Sequence, residues 1–302
     1  MIILNNDILV LKDLLRKCYS IDTAYPGSIC YYNEHDISYG HCAIATLICY
    51  ERFGGKIGKI KINNGSHYFN IIDDSIIDLT KEQFEYEVDY SNYIIKDYND
   101  ILNNSDTRRR YLILKMKLLL LGVDLNISKC NLCLDMVEHF PSSKTVSIGE
   151  NKDIVILGEA PANNGWRKSG IAWYDVNKKL LPSGVVMQKL LDILNIKLDD
   201  TFFLEAIKCY PKDRKYLDKC GNNCRKYLLR QLDIINPKVV LVLGDAAFKA
   251  ILDVKYKKFS EVVGREFMLD NIKIIPIYHP SPISPLSLKG NIPIFEKLKE
   301  EL

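Results

Sequence analysis

The sequence predicts an α/β protein of two domains, and three observations lead there. Its 302 residues are enough for two domains of ordinary size. Short runs rich in β-branched residues at 153–157, 201–207, 238–243 and 272–277 alternate with helical patterns at 185–195, 218–235 and 245–252. That order builds a mainly parallel sheet flanked by helices. Before residue 128 the alternation is missing: two helical patterns precede two strand-like runs and a third follows them, which predicts a smaller α+β domain. The expected domains are 1–125 and 126–302, with the linker at 122–128.

Composition narrows the class. Hydrophobic residues make up 47% and charged residues 26%, which is globular and not disordered. No run of 18 apolar residues occurs, and Met1-Ile-Ile-Leu-Asn-Asn-Asp has neither a basic n-region nor a long apolar h-region. We therefore expect no signal peptide, no membrane span and a cytoplasmic protein. Nine cysteines in that setting point to a reducing compartment, where clustered thiols bind metal or do chemistry. The net charge of +3 divides into −3 for residues 1–127 and +6 for residues 128–302. A basic second half suits a polyanionic partner such as DNA or RNA.

In the first part, Leu9, Leu11, Leu14, Leu15 and Cys18 fall at helical spacing. After a tyrosine-rich loop comes a second helical run from Gly40-His41-Cys42, with Ala43, Leu47 and Tyr50 on one face. Gly54-Gly55 is its stop signal. Cys42 is then at a helix N-terminus, where the dipole and free N–H groups lower a thiol pKa. Strand-like runs at 57–62 and 68–72 follow, with Ser66-His67 leading into the second and Asp78 beyond it. Cys42, His67 and Asp78 have the chain order used by papain-like thiol enzymes. Arg108-Arg109-Arg110 opens an apolar helix to Leu121, placed to hold a partner or a carboxylate.

Gly40-His-Cys-Ala43, Phe53-Gly-Gly55, Ser66-His-Tyr-Phe-Asn70, Ile77-Asp-Leu-Thr-Lys-Glu-Gln-Phe84 and Thr107-Arg-Arg-Arg-Tyr111 resemble the YunG-type family over most of 8–120. That resemblance carries no established activity. The residue before the Cys, often Gln in that family, is His41 here.

In the second part, 153–158 reads as a buried strand ending at Gly158-Glu159. A loop at the carboxyl end of a buried strand is where open α/β sheets build their sites. Residues 237–244 are the clearest central strand. Cys130-x2-Cys133 supplies two thiolates from one turn; Cys209 follows a strand and Cys224 lies on the next helix. Four thiolates can close a zinc site or hold a cubane iron–sulfur cluster, and the absence of a second Cys-x2-Cys pair makes zinc the lesser choice. Cys220 is an alternative to Cys224.

These cysteines, with Gly158-Glu-Ala-Pro161, Lys208-Cys-Tyr-Pro211, Gln231, 237–247 and His279-Pro-Ser-Pro282, resemble the iron–sulfur uracil-DNA glycosylases over nearly all of 128–302. Glu159 matches the family-4 first motif, whereas Ala162-Asn-Asn-Gly165, Lys168, Gly170 and Trp173 look like the family-5 loop. The resemblance implies a 4Fe-4S cluster on Cys130, Cys133, Cys209 and Cys224. It also implies DNA as partner and hydrolysis of the N-glycosidic bond of uracil or another deaminated base. Glu159 would position water and balance an oxocarbenium-like sugar; His279 would stabilise the leaving base. Trp173 would stack on the flipped base. Lys168, Ser281 and the loop through Leu286 and Leu288 would grip phosphate and wedge the stack.

Glu205 stands where the family-4 enzymes read uracil with an asparagine. An ionised carboxylate accepts but cannot donate, so it predicts weak or relaxed uracil release; a raised pKa would restore the donor. The rival expectation is a nucleic-acid-binding module that has lost catalysis, joined to a Cys42/His67/Asp78 thiol hydrolase.

Overall fold

The computed structural model describes residues 2–32, 36–63, 65–133, 136–139, 145–162, 164–211 and 213–301, with the backbone alone for 2–5, 31 and 136–139. The chain forms two compact units, Met1–Leu119 and Leu120–Leu302.

The first unit runs α1 (Ile2–Cys18), α2 (Cys42–Phe53), β1 (Lys56–Ile62), β2 (Gly65–Ile72), β3 (Ser75–Ile77), β4 (Ile94–Lys96), α3 (Tyr98–Leu102) and the start of α4 (Ser105–Ser128). Its four strands form an antiparallel sheet in the order β3-β2-β1-β4. Helix α2 lies against β2 and buries Ile44, Leu47 and Ile48. It stops where the sequence predicts: Gly54 takes φ 73° and its N–H reaches the Tyr50 carbonyl, a conformation glycine adopts without a Cβ penalty. Gly58 on β1 faces Phe69 on β2, and a Cβ there would stand 2.4 Å from the ring, so this position lets Phe69 close the sheet's apolar face.

Helix α4 corrects the expected linker. Residues 122–128 continue the helix, although Gly122 costs about 1 kcal/mol in a helix interior. Val123, Asp124 and Ile127 are buried, and burial outweighs that cost. Asp124 accepts from the Thr145 hydroxyl, and Thr145 accepts from Gln231, which ties this end of α4 into the second unit. At the other end Arg110 is buried: its Nε donates to Asp106 of the same helix at 2.7 Å, and the guanidinium reaches the loop carbonyls of Thr23 and Gly40.

The second unit runs β5 (Met136–His139), β6 (Val146–Ser147), β7 (Asn151–Gly158), α5 (Trp166–Ser169), α6 (Pro182–Leu191), β8 (Thr201–Glu205), β9 (Cys209–Pro211), α7 (Leu217–Ile235), β10 (Val239–Leu243), α8 (Asp245–Ile251), β11 (Phe267–Leu269), β12 (Ile272–Ile277) and α9 (Ile292–Glu301). Six strands order as β11-β12-β10-β7-β8-β6. The four inner strands are parallel and the two edges antiparallel. All five residues of β10 are buried, the signature of a strand covered on both faces. Register fixes the site: Gly158 pairs with Glu205 and Leu243 with Ile277, so the carboxyl ends of β7, β8, β10 and β12 finish level. No helix among the described residues is long and apolar enough to cross a membrane.

Candidate active site

Above those level strand ends lies a cleft of about 1000 Å³. Its walls include Glu159 after β7, Glu205 at the end of β8, Gly244 after β10, His279 after β12, and the aromatic residues Trp173 and Phe203. Trp173 is buried, packs on Phe203 with ring centroids 4.7 Å apart, and holds φ at 70°, an uncommon backbone state for a bulky residue.

Glu159 is gripped by a residue the sequence reading passed over. Arg214 Nη1 stands 2.8 Å from Oε1 and Nη2 donates to Oε2 at 2.8 Å, a two-pronged pair. The only prior signal was its place in a basic stretch after Cys209. His279 is open to solvent on the facing wall. Its Nδ1 accepts from the Ser281 N–H at 3.1 Å, so the neutral ring carries its proton on Nε2 and can donate from there. The cleft walls lower its pKa by desolvation, against the pull of Glu159, which keeps the ring neutral.

Glu205 differs from expectation. Its side chain is only 8% exposed, and Oε2 has no hydrogen-bond partner among the described residues. It rests over Gly158, where a Cβ would come within 2.4 Å of Oε2. Burial pushes the carboxyl up to about 8; Lys208 pulls the other way and Glu159 adds to the rise. A carboxyl so raised is held largely as the neutral acid at neutral pH, the case in which an O–H is present to donate beside one oxygen to accept. Lys208, also buried, donates to the Glu205 carbonyl, and burial lowers its pKa to about 8.

Lys168 is exposed on α5, Ser281 is half-buried and Leu286 is 43% exposed. Leu288 is not free to wedge a base stack, because it packs against the core of the unit. The chain instead presents Ile283, 93% exposed, inside the His-Pro-Ser-Pro-Ile run. Sequence alone could not separate these apolar residues, since each sits in the same proline-rich loop.

All nine cysteines are thiols. Cys220 and Cys224 on α7 form one buried cluster with Cys133 beside it. Cys224 is within electrostatic reach of Cys130 and Cys133, and Cys209 within that of Cys220. Two N–H groups already point at sulfur: Lys208 N to Cys224 Sγ at 3.4 Å and Asn223 Nδ2 to Cys133 Sγ at 3.2 Å. Among the described residues no three His, Cys, Asp or Glu side chains are grouped to hold a single ion. An all-thiol donor set with amides aimed at its sulfurs fits an iron–sulfur cluster, whose four cysteine sulfurs stand farther apart than those around one tetrahedral ion.

In the first unit the structure brings Cys42, His67 and Asp78 together. Cys42 is the first residue of α2, and its thiol is within hydrogen-bonding reach of His67. His67 Nε2 is 2.6 Å from Asp78 Oδ2. Asp78 accepts in turn from the Thr80 N–H at 2.9 Å and the Tyr90 hydroxyl at 2.7 Å. Burial works against both charges, but the carboxylate and the thiol raise His67 to about 9, and the imidazole lowers Cys42 below an ordinary thiol.

A mainly parallel sheet with an acid, a histidine and an aromatic-walled recess at its strand ends defines an open α/β unit with its cleft at the carboxyl ends of the strands. Comparison with known proteins agrees. Residues 146–302 match the family model described as Uracil DNA glycosylase superfamily, and residues 7–120 match the one described as YunG protein. A type-4 uracil-DNA glycosylase of Archaeoglobus fulgidus is 26% identical over 168 residues, 51% of this chain and 76% of that protein. Its counterpart in Thermotoga maritima is 30% identical over 160 residues, 51% of this chain and 78% of that protein. The uncharacterized protein YunG of Bacillus subtilis is 32% identical over 59 residues, 20% of this chain and 51% of that protein. The chain belongs to the uracil DNA glycosylase superfamily.

Proposed function

We propose that the second unit hydrolyses the N-glycosidic bond of uracil in DNA, in the manner of base excision repair. The observation that carries this reading is the placement of Glu159, Glu205 and His279 on the walls of one cleft above the level strand ends, with burial raising the Glu205 carboxyl toward its neutral form. A neutral carboxyl offers the donor and acceptor pair of an asparagine amide: its O–H can donate to uracil O4, and its carbonyl oxygen can accept from N3–H.

The other groups then have defined work. Trp173 and Phe203 supply the apolar wall of the base pocket. Glu159 holds a water below C1′ and balances the positive charge that develops on the sugar. His279, neutral with its proton on Nε2, donates to uracil O2 as the base departs as an anion. Ser281 and Lys168 contact phosphate, with Leu286 and Ile283 on the surface that meets the base stack. Cys130, Cys133, Cys209 and Cys224 would hold the iron–sulfur cluster. Bound there, the cluster serves as a structural tie between the loop at 130–133, β9 and α7.

Release of free uracil from a uracil-containing oligonucleotide under single-turnover conditions tests the reading. Native protein should release it. Glu159→Ala and His279→Ala should each lose ~2–4 kcal/mol of transition-state stabilisation, roughly thirty- to a thousandfold in rate. Binding of DNA without release of any deaminated base would favour a catalytically silent nucleic-acid-binding module and sink the proposal.

A further inference from the structure

The first unit contains a nucleophile, a base and an orienting acid that base excision does not use. Asp78 is held from two sides, by Thr80 and by Tyr90, and is buried with its partner His67. Nε2 is committed to Asp78, and Nδ1, which the Gln83 amide approaches at 3.5 Å, is the ring nitrogen left to face Cys42. The Tyr68 backbone N–H also favours the thiolate of Cys42. Cys42 as a residue is partly exposed, whereas Cys49, about two turns on, is buried.

Two further groups complete the set. No side chain caps the N-terminus of α2, so the first N–H groups of the helix, including that of Cys42, have no intrahelical acceptor. The Tyr19 hydroxyl is buried, has no hydrogen-bond partner among the described residues, and lies in the electrostatic reach of Cys42. A buried hydroxyl with no partner is a donor still available to a ligand. His41 does not fill that role. Its Nδ1 contacts the Tyr39 carbonyl at 3.0 Å and its Nε2 the Thr23 hydroxyl at 2.9 Å, so both nitrogens are spent on the loop that leads into α2.

We propose that the first unit is a second, separate active site, a thiol acyl hydrolase acting on a carboxylic ester, thioester or amide. Cys42 is its nucleophile, His67 its proton carrier and Asp78 the residue that positions the ring. The Cys42 N–H and the Tyr19 hydroxyl receive the oxyanion. The Cys42 thiolate attacks the acyl carbon and an S–C bond forms. As the bond to the leaving atom breaks, the His67 Nδ1 proton passes to that atom. Water then attacks the thioester, gives a proton back to His67 and releases the acid and the Cys42 thiolate. This site stands independently of the glycosylase reading.

The probe is p-nitrophenyl acetate, added to the full-length protein with its cysteine cluster intact. We expect a burst of about one equivalent of p-nitrophenolate, with an acetyl group mapped to Cys42 by mass spectrometry. In parallel, iodoacetamide labelling at mildly acidic pH should modify Cys42 ahead of exposed Cys30. His67→Ala should slow both reactions at least roughly tenfold. Tyr19→Phe should slow acetylation by roughly ten- to a hundredfold while leaving the pH midpoint of alkylation in place, a split that a packing role would not produce. Absence of an acetyl-Cys42 adduct, together with labelling of Cys42 no faster than Cys30, would overturn the proposal. Because both readouts use the native chain, a variant that fails to fold does not remove the test.

Discussion

Replacing Glu205 by Gln isolates the group proposed to read uracil. The native carboxyl is pushed up to about 8, chiefly by burial. One pH unit below that value about ten in eleven carboxyls hold their proton, and one unit above about one in eleven. The ionised form has lost the O–H that meets uracil O4 and turns a negative charge on a carbonyl oxygen. That mismatch costs ~1–3 kcal/mol, roughly ten- to a hundredfold in rate. Weighting the two forms, single-turnover uracil release should fall about five- to tenfold between pH 7 and pH 9. An amide does not titrate, so Glu205→Gln should lack this fall, and the ratio of native to variant rates cancels every other titration the two proteins share. Stability follows the same sign. The folded pKa is raised, so the contribution is fully present below the ordinary value of 4.5 and is lost as pH rises through about 8. The melting temperature of Glu205→Gln relative to native should therefore be higher at pH 9 than at pH 6. Parallel rate profiles for the two proteins from pH 6 to pH 9 would refute the reasoning.

Gly158→Ala would place a methyl carbon 2.4 Å from Glu205 Oε2 and 2.9 Å from Phe203 Cζ. It should cost ~1–3 kcal/mol in a denaturant melt and raise the KM for uracil DNA, since the reading carboxyl must move. Anaerobically purified protein should be brown with thiolate-to-iron absorbance; Cys130→Ala should lose the colour and Cys220→Ala should keep it, while a colourless protein carrying stoichiometric zinc would exclude the cluster. Ile283→Ala should reduce excision from duplex DNA more than from single strands, because only the duplex needs a wedge; equal losses on both would remove that role.

Much of the fold was legible because it rests on short-range pattern. The runs at 201–207, 238–243 and 272–277 became β8, β10 and β12, with ends shifted by no more than two residues. The Gly pair after Phe53 stopped α2 where such pairs stop helices. What pattern could not show depends on tertiary partners. The sequence around Gly122 reads as a break, and only the burial of Val123 and Ile127 makes it helix. The ionisation of Glu205 is set by a neighbouring strand: register places Gly158 opposite it, and the missing side chain there opens the recess that desolvates the carboxyl. Tyr19 and Cys42 are far apart in sequence, and Tyr19 comes near through its ring contact with His41, in the loop whose Gly40 carbonyl Arg110 holds. Chain order alone suggested a thiol triad but offered no donor for an oxyanion.

Arg214 raises the question of how Glu159 becomes available. In the free protein both carboxylate oxygens are taken by the guanidinium. Arg214 is 77% exposed on its side chain, so the pair is largely screened and contributes at most about 1 kcal/mol. A DNA phosphate arriving at the lip of the cleft offers Arg214 a charge-assisted bond of similar or greater strength, about 1.5–3 kcal/mol. Exchange of the guanidinium from carboxylate to phosphate is then close to neutral or downhill, and it frees Glu159 when DNA is present. On this argument Arg214→Ala should weaken DNA binding several-fold and lower the dependence of log K on log salt by about one. The single-turnover rate at saturating DNA should be kept or raised, since Glu159 is no longer masked. If Arg214→Ala instead lowers the saturating rate as far as Glu159→Ala does and leaves affinity and salt slope unchanged, Arg214 acts on the reacting sugar and not on the phosphate.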